Sequence, residues 1–548
     1  MRISAVLVAI VLCIPVLGRA QGTVTVNVDD PLYRDVDRLI DDGLVTHAIV
    51  GQRPYSRRMF ARIVREAQVN LDAAGASAGE HGLLDRRAIE RLSAVFAVEV
   101  AEIYNVAEGV GRVRASPLSQ LRVDGLVTDA PSRAVPPNGL GSVEADLNSL
   151  TDYREGRRLL TGANLALESE HSVQFPAGIS LQVHPRVWWH DGRSTGRSGV
   201  SGELLSGNVR AVRGNVAVTV GREYTEWAQA EGAGLFFSGN APALDMVRVA
   251  SDAPFKLPSV LSRLGSVAAT LQLADLGRSD SNSHSRLVSY KVSLRPSAAL
   301  ELGATFENHF GGAGAKGASA FDRFIDLVPF LDIFRRHIDS TTVESDKLLG
   351  LDGRLRLRSL GNISLFAELA LEDFDIHRLR SIFTEDAAYT AGVIVPVLFA
   401  PALSARVGYH TVGLRFYEHH LIRNGIASRR LILGDDLGRD AHGVFGLLRG
   451  VSADGLTVTA EAAYDVRRND TYLGTYTNPD RTGLVFNTVA TSPTERRARG
   501  ILGVRWFPRD ARVMYELRGG AERTSNFGFV NSASSTHAVG SATVALFR

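Results

Sequence analysis

From about Ser116 to Arg548 the chain runs in short segments in which apolar and polar side chains alternate. In one of them Leu456, Val458, Ala460, Ala462, Tyr464 and Val466 fall on one face, while Thr457, Thr459, Glu461, Asp465 and Arg467 fall on the other. A strand has a side-chain period of two, so this pattern leaves one face for an apolar surrounding and one for water or polar groups. The same rule sets Val513, Tyr515 and Leu517 against Arg512, Glu516, Arg518 and Glu522, and Leu181, Val183, Val187 and Trp189 against Gln182, His184, Arg186, Trp188 and His190. Segments of roughly ten residues with alternating hydrophobicity are the mark of a barrel wall in a membrane.

The connections support this. Short turns are predicted at 175–178, 213–215, 295–298, 360–362, 399–401, 452–455 and 507–510. Between them lie long links at 128–155, 191–207, 225–241, 310–349, 375–387, 418–441 and 469–495. Short turns on one side and long loops on the other, with an even strand number, are what a bacterial outer-membrane barrel requires. The expected fold is therefore mainly β, a transmembrane antiparallel β-barrel of about 18 strands over 116–548. One stretch strains the scheme: 251–264 is long and contains proline where parity demands a short turn.

Residues 21–115 do not alternate. Leu32, Val36, Leu39 and Ile40 follow helical spacing, with Asp30 placed as N-cap and Pro31 at the first helical position. Further helices are predicted after Ser56 and from about Leu83 to Tyr104, which makes a small periplasmic α-helical module ahead of the barrel. Residues 1–20 carry Arg2, an apolar run from Val6 to Leu17 and the small-x-small site Gly18-Arg19-Ala20. That run is too short to cross a bilayer and reads as a signal peptide. The one cysteine, Cys13, lies inside it, so no thiol chemistry is expected of the mature chain. Loss of Arg2 and Arg19 leaves 59 basic residues against 59 acidic, a neutral balance that argues against nucleic-acid binding. The most apolar later stretch, 392–405, contains Pro396 and Pro401 and reads as two strands around a turn. At the other end, 537–547 is expected as the closing strand, with Phe547 one residue from the terminus, as in the signal that outer-membrane assembly machinery reads.

Few residues suggest catalysis. Gly192-Arg193-Ser194-Thr195-Gly196 matches a serine-hydrolase pattern but falls in an outer loop rather than at a strand-to-helix elbow. His410, His419 and His420 lack acidic or cysteine partners at a metal-site spacing, and His377 is remote. Glu372, Asp373 and Asp375 could serve glycoside hydrolysis, yet they read as solvated loop acids. No catalytic residue, metal or cofactor is assigned. The glycine-rich run 311–317 lacks a following Lys-Ser/Thr and is no phosphate loop. It precedes Phe321, Phe324, Ile325 and Val328 at near-helical spacing, a helix expected to pack into the barrel mouth or against another loop helix. Trp189 is expected in the lipid-facing aromatic girdle, with Trp188 and His190 pointing inward at the mouth. An aromatic face beside hydrogen-bonding groups suits a sugar ring.

The tract Val216 to Trp227, followed by Gly234-Leu235-Phe236-Phe237-Ser238-Gly239-Asn240-Ala241-Pro242, resembles the capsule-assembly Wzi family. In that family a strand ending in Gly-Arg/Gln leads through a tryptophan and glycines to a Ser-Asn-Asn-Ala-like segment. The resemblance extends to Asp29-Asp30-Pro31-Leu32, Leu351-Asp352-Gly353-Arg354-Leu355, Ala367-Glu368-Leu369, Tyr417-Glu418-His419-His420 and Leu433-Gly434. Two positions depart from it: Trp227-Ala228-Gln229-Ala230 replaces the usual Trp-Gly-Pro-Gly, and Gly239 stands where the first asparagine is common.

The resemblance implies an outer-membrane protein, monomeric and without turnover, that holds capsular or other exported polysaccharide at the cell surface in a lectin-like manner. Its long loops would be extracellular and its helices periplasmic, and its partners would be membrane lipid, surface polysaccharide and the assembly machinery, with no nucleic acid. Trp188, His190, Glu223, Trp227, Ser238 and Asn240 are the expected glycan contacts. A porin or solute channel stays open as the alternative, favoured by charged positions such as Arg186, Arg512 and Arg518. An outer-membrane hydrolase is a weaker one.

Overall fold

The computed structural model describes residues 23–75, 79–104, 112–151, 156–193, 195–328, 344–372, 382–476, 484–508, 510 and 512–548. Cys13 and the expected signal peptide, as well as Ser194, Asp373, Asp375 and His377, lie outside them. Eighteen long strands form one antiparallel sheet. In chain order they are β1 Arg114–Thr128, β2 Gly162–Gln174, β3 Ile179–His190, β4 Gly199–Arg213, β5 Val216–Glu223, β6 Leu244–Ser251, β7 Ser266–Asp275, β8 Arg286–Ser297 and β9 Leu300–Phe310. They continue as β10 Ser345–Leu357, β11 Ile363–Glu372, β12 Ala387–Val395, β13 Leu403–Val412, β14 Ala441–Val451, β15 Leu456–Arg467, β16 Glu495–Trp506, β17 Val513–Ser525 and β18 Ser534–Phe547. The ring closes because β1 pairs with both β2 and β18, with Gln120 opposite Phe547 and Thr128 opposite Val539.

The alternation maps onto the wall. On β3, Ile179, Leu181, Val187 and Trp189 are outward and exposed, while Ser180, Gln182, His184, Arg186 and Trp188 are inward and buried. Outward aromatics mark two levels: Phe175, Trp506 and Tyr515 near the turn end, and Trp189, Tyr409 and Tyr464 near the loop end. The 251–264 link is an extended turn. Phe255–Lys256 continues the pairing of β6 along β7, and Ser259–Leu264 forms a 3-10 helix. Pro254 and Pro258 cannot donate to a ladder, so the strand breaks there without altering the count. Two expectations need correction. The 191–207 loop is shorter because β4 already begins at Gly199, and Arg512 sits exposed in the turn before β17 rather than facing the lumen.

Among the described residues four helices precede the barrel: α1 Leu32–Asp41, α2 Arg57–Ala74, α3 Gly79–Val95 and α4 Ala97–Ile103. Pro31 rather than Asp30 takes the N-cap position of α1, and Asp30 Oδ1 accepts from the Leu32 amide at 2.9 Å from one residue further out; Ser56 caps α2, accepting from the Met59 amide at 3.2 Å. The third predicted helix is divided at Phe96, whose ring is buried 4.6 Å from Phe60. The helices share one apolar core with Phe507, Met514 and Ala545 at the turn end of β16–β18, and Phe547 packs against it.

The segment around α1 also enters the lumen, a placement that helical spacing did not indicate. Arg356 donates to the Ile40 carbonyl at 3.0 Å, Arg354 pairs with Asp41, and Glu301 accepts from the Val50 and Gly51 amides at 3.0 and 2.8 Å. Asp29 reaches Arg122 and Arg157 at 2.9 and 2.7 Å.

At the loop end, 129–151, 156–161, 224–243 and 413–440 fold inward over the lumen. Residues 311–328 do not. Their helix α5, Ala320–Leu327, lies against the outward face of β8–β10, where Tyr290 donates to the Leu327 carbonyl at 2.9 Å. The expected packing into the mouth is thus overturned, because the outward ends of these strands carry polar groups that need partners on that side.

Phe60→Ala should cost the helical module about 3–5 kcal/mol through loss of buried ring volume. Proteolysis within 23–104 should rise sharply, while the barrel keeps its heat-modifiable migration in gels.

Candidate functional site

The loop end is organised by an apolar core inside the barrel. Trp227, Leu235, Phe236 and Phe237 of one loop meet Phe416, Tyr417, Ile426, Ile432 and Leu433 of another, over Leu287, Leu348, Ala370 and Val412 of the wall. These loop residues could not remain in water without a large apolar patch, and the upper lumen supplies matching apolar side chains. Polar groups then fix the register. Glu368 accepts from the Gln229 and Leu235 amides at 2.8 and 3.2 Å, and Glu372 accepts from the Tyr417 amide at 2.7 Å. The Tyr417 hydroxyl donates to the Leu235 carbonyl at 2.7 Å and accepts from the Asp435 amide at 2.8 Å.

The six sequence-expected residues fall into three places. Trp227, Ser238 and Asn240 lie in the loop core. Trp227 is 3% exposed and meets Phe237 edge-on at 5.0 Å. Ser238 donates to the Gly434 carbonyl at 2.6 Å and Asn240 to the Ile432 carbonyl at 2.9 Å, which stitches 224–243 to 413–440. Glu223 is buried deeper, paired with Arg248 and accepting from Thr25 of the plugging segment at 2.6 Å. Trp188 and His190 stand on the rim at the loop end of β3. Their rings are 5.4 Å apart, the Arg186 guanidinium lies 5.3 Å from the Trp188 ring, and the buried Nδ1 of His190 has no hydrogen-bond partner among the described residues. Trp188 itself is 7% exposed, so its face is largely covered.

Below the loop core, inward charges are matched rather than aligned into a selectivity path. Arg157 donates to both oxygens of Glu168 at 2.8 and 2.7 Å, Arg186 bonds Glu203 at 2.7 Å, and Arg518 bonds Glu461 at 2.7 Å. Arg34, Arg406 and Arg449 surround Glu231 on the 224–243 loop, where they hold its carboxyl far below the usual range against the cost of burial. A cavity of about 280 Å³ remains, bordered by Asp29, Arg34, Arg122, Arg499 and Arg518.

Sequence reasoning missed the carboxylates that hold the loops: Glu168 through the Arg157 guanidinium, Glu368 through the Gln229 and Leu235 amides, and Glu372 as a holder of Tyr417. Their signal was a charged residue on an inward position facing a long loop. His410 bonds Asp435 at 2.8 Å and His419 accepts from the Leu421 and Ile422 amides, so the two serve separate loop contacts.

Among the described residues, the His and acidic groups close enough to share a metal ion are Asp42, His81 and Asp85 of the helical module. Arg38 bonds Asp85 at 2.9 Å and His81 lies 3.0 Å from Asp42, which already neutralises the pair. Burial, reinforced by Asp42, pushes the Asp85 carboxyl up to about 7, and the hydrogen bond to Asp42 raises His81.

A family model described as capsule assembly protein Wzi matches residues 140–538. No curated protein sequence matches the chain. Among solved structures it is similar to Wzi of Escherichia coli, described as an outer membrane protein involved in group 1 capsule assembly and a carbohydrate-binding β-barrel. The two share 15% identity over 95% of this chain and 99% of that one, with a TM-score of 0.63. OccD3 (OpdP) of Pseudomonas aeruginosa is 12% identical over 83% of this chain and 98% of that one, with a TM-score of 0.42.

Raised pKa values in the folded state contribute stability at low pH that is lost as pH climbs through them. For Asp85 that window runs from its ordinary 3.8 to about 7, and the His81 contribution is lost above its ordinary 6.5. Protection factors of the α1 and α3 amides, which correct the exchange rates for the intrinsic effect of pH, should therefore be higher at pH 5 than at pH 8, and Asp85→Asn should flatten the difference.

Proposed function

The chain belongs to the capsule assembly protein Wzi family, and from that premise we propose that it is a lectin-like anchor that holds capsular or other exported polysaccharide at the cell surface. It is a barrel of the outer membrane, with its short turns toward the periplasm and its long loops toward the exterior. The observation that carries the proposal is the filling of the lumen. The loop core closes the outer part and the segment around α1 occupies the inner part, both tied to the wall by ion pairs and backbone bonds. A barrel filled this way presents a surface rather than a passage, which favours binding over diffusion.

The glycan contact is assigned first to the rim. His190 and Trp188 stand there side by side, the His190 Nδ1 being buried and without a partner among the described residues. Trp227, Ser238 and Asn240 act from below by fixing the loops that frame this rim, and Glu223 holds Thr25 of the plugging segment. The protein performs no turnover in this scheme and works as a monomer. Phe547 on the closing strand is the feature that the assembly machinery would read.

Two measurements test this. Replacing Trp188 and His190 by alanine together should weaken binding of the organism's own surface polysaccharide about tenfold, or ~1.4 kcal/mol, without changing gel migration of the folded barrel. Unchanged binding would remove both residues from the site. In planar bilayers the purified protein should show no steady large conductance, and stable channels of porin size would reinstate the solute-channel alternative.

A further inference from the structure

The wall is lipid-facing nearly everywhere, as the exposure of Val292, Leu302, Leu351 and Leu365 shows. Above these residues, between β8 and β12, the outward positions are covered. Val288, Asn308 and Phe310 face outward by register, since Val288 pairs with Asn308 and Asn308 with Lys347, yet Asn308 is 0% exposed. The cover is α5. Asn308 donates to the Asp326 carbonyl at 2.8 Å and to its carboxylate at 3.0 Å, Lys347 pairs with Asp326 at 3.0 Å, and the Arg323 guanidinium lies 5.0 Å from the Phe310 ring.

Residues 382–386, ahead of β12, repeat the arrangement. Ile382 is fully buried against Leu369, Leu371, Ala387 and Tyr389 on the outward side of β11 and β12. In both cases an outward tyrosine donates to a carbonyl of the loop that drapes over it: Tyr290 to Leu327 at 2.9 Å and Tyr389 to Phe383 at 2.6 Å.

We propose that these two segments form a collar outside the barrel that embeds phenylalanines in the acyl chains of the outer leaflet. On the side away from the wall, Phe324 is 60% exposed and Phe383 48%, and Phe321 stands three residues before Phe324 on the same helical face. Continuity with the lipid-facing wall identifies the occupant, because the collar lies on the same side of the sheet as Val292 and Leu302 and directly above them. The tyrosine hydroxyls and the Lys347–Asp326 pair set its height. Such groups belong at the boundary between headgroups and hydrocarbon, where an amphipathic helix rests with its apolar face sunk into the acyl region. A helix is also able to lie there because its backbone bonds are satisfied internally.

The test uses the full chain with Cys13 replaced by serine, in phosphatidylcholine vesicles, with nitroxide labels introduced through Phe324→Cys and, separately, Phe383→Cys. A label at Ala313→Cys, in the exposed glycine-rich run, serves as the aqueous reference. At both collar positions the ratio of collision rates with oxygen to those with a water-soluble nickel chelate should exceed the reference several-fold. A ratio equal to the reference at both positions overturns the proposal. Dipolar broadening that vanishes on dilution with unlabelled protein also overturns it and assigns the surface to a second copy. Two positions on separate loops keep the test decisive if one variant fails to fold, and neither lies on the glycan-binding rim.

Discussion

A chain that crosses lipid as strands has to leave no ladder edge unpaired, since an unsatisfied amide or carbonyl in hydrocarbon costs several kcal/mol. Here that demand is met by the pairing of β1 with β18. Closure makes the sheet a tube, and a tube has an inside. The inward half of the alternation cannot be apolar throughout without collapse, nor charged without counter-charges. Everything distinctive in this protein follows from how that interior is filled.

The filling comes from three sources that had to converge. Inward arginines and carboxylates of the wall meet opposite charges from the segment around α1 and from the loops, as in Arg354 with Asp41 and Arg157 with Glu168 and Asp29. Removing one partner of such a pair would strand a buried charge, which is why the interior is set as a unit. Apolar loop residues then seal the outer part. Arg53 and Glu226 exchange backbone hydrogen bonds at 2.9 and 3.1 Å, so plug and cap touch directly across the lumen. The rim proposed to bind glycan would draw on this rigidity, because loops ordered before binding lose less entropy when ligand arrives.

The wall was legible in the sequence because every position on a strand reports one bit, inward or outward, and the bit repeats. Trp189 and Trp188 fall on the sides that parity assigns. Legibility failed where local pattern and surroundings separate. The Phe-rich stretch at 321–328 reads as a helix, and it is one, but helical spacing is the same whether the apolar face seeks a core or a membrane. Similarly, Trp227, Ser238 and Asn240 look like ligand contacts from composition, since the side chains that stack on a sugar or bond its hydroxyls also serve to pack a loop and cap its carbonyls.

Alternation, turn spacing and helical periodicity are local properties, and by themselves they determined a closed wall of about eighteen strands with helices before it. The contents of the lumen, the side on which α5 lies and the division of the six candidate residues among rim, loop core and plug were decided only in three dimensions. The reason is sequence separation. Arg354 meets Asp41 from 313 residues away, and Asn240 meets Ile432 from 192. No period along the chain encodes which of many inward charges or loop carbonyls will be the partner. That choice belongs to the closed barrel, which brings all of them within reach at once.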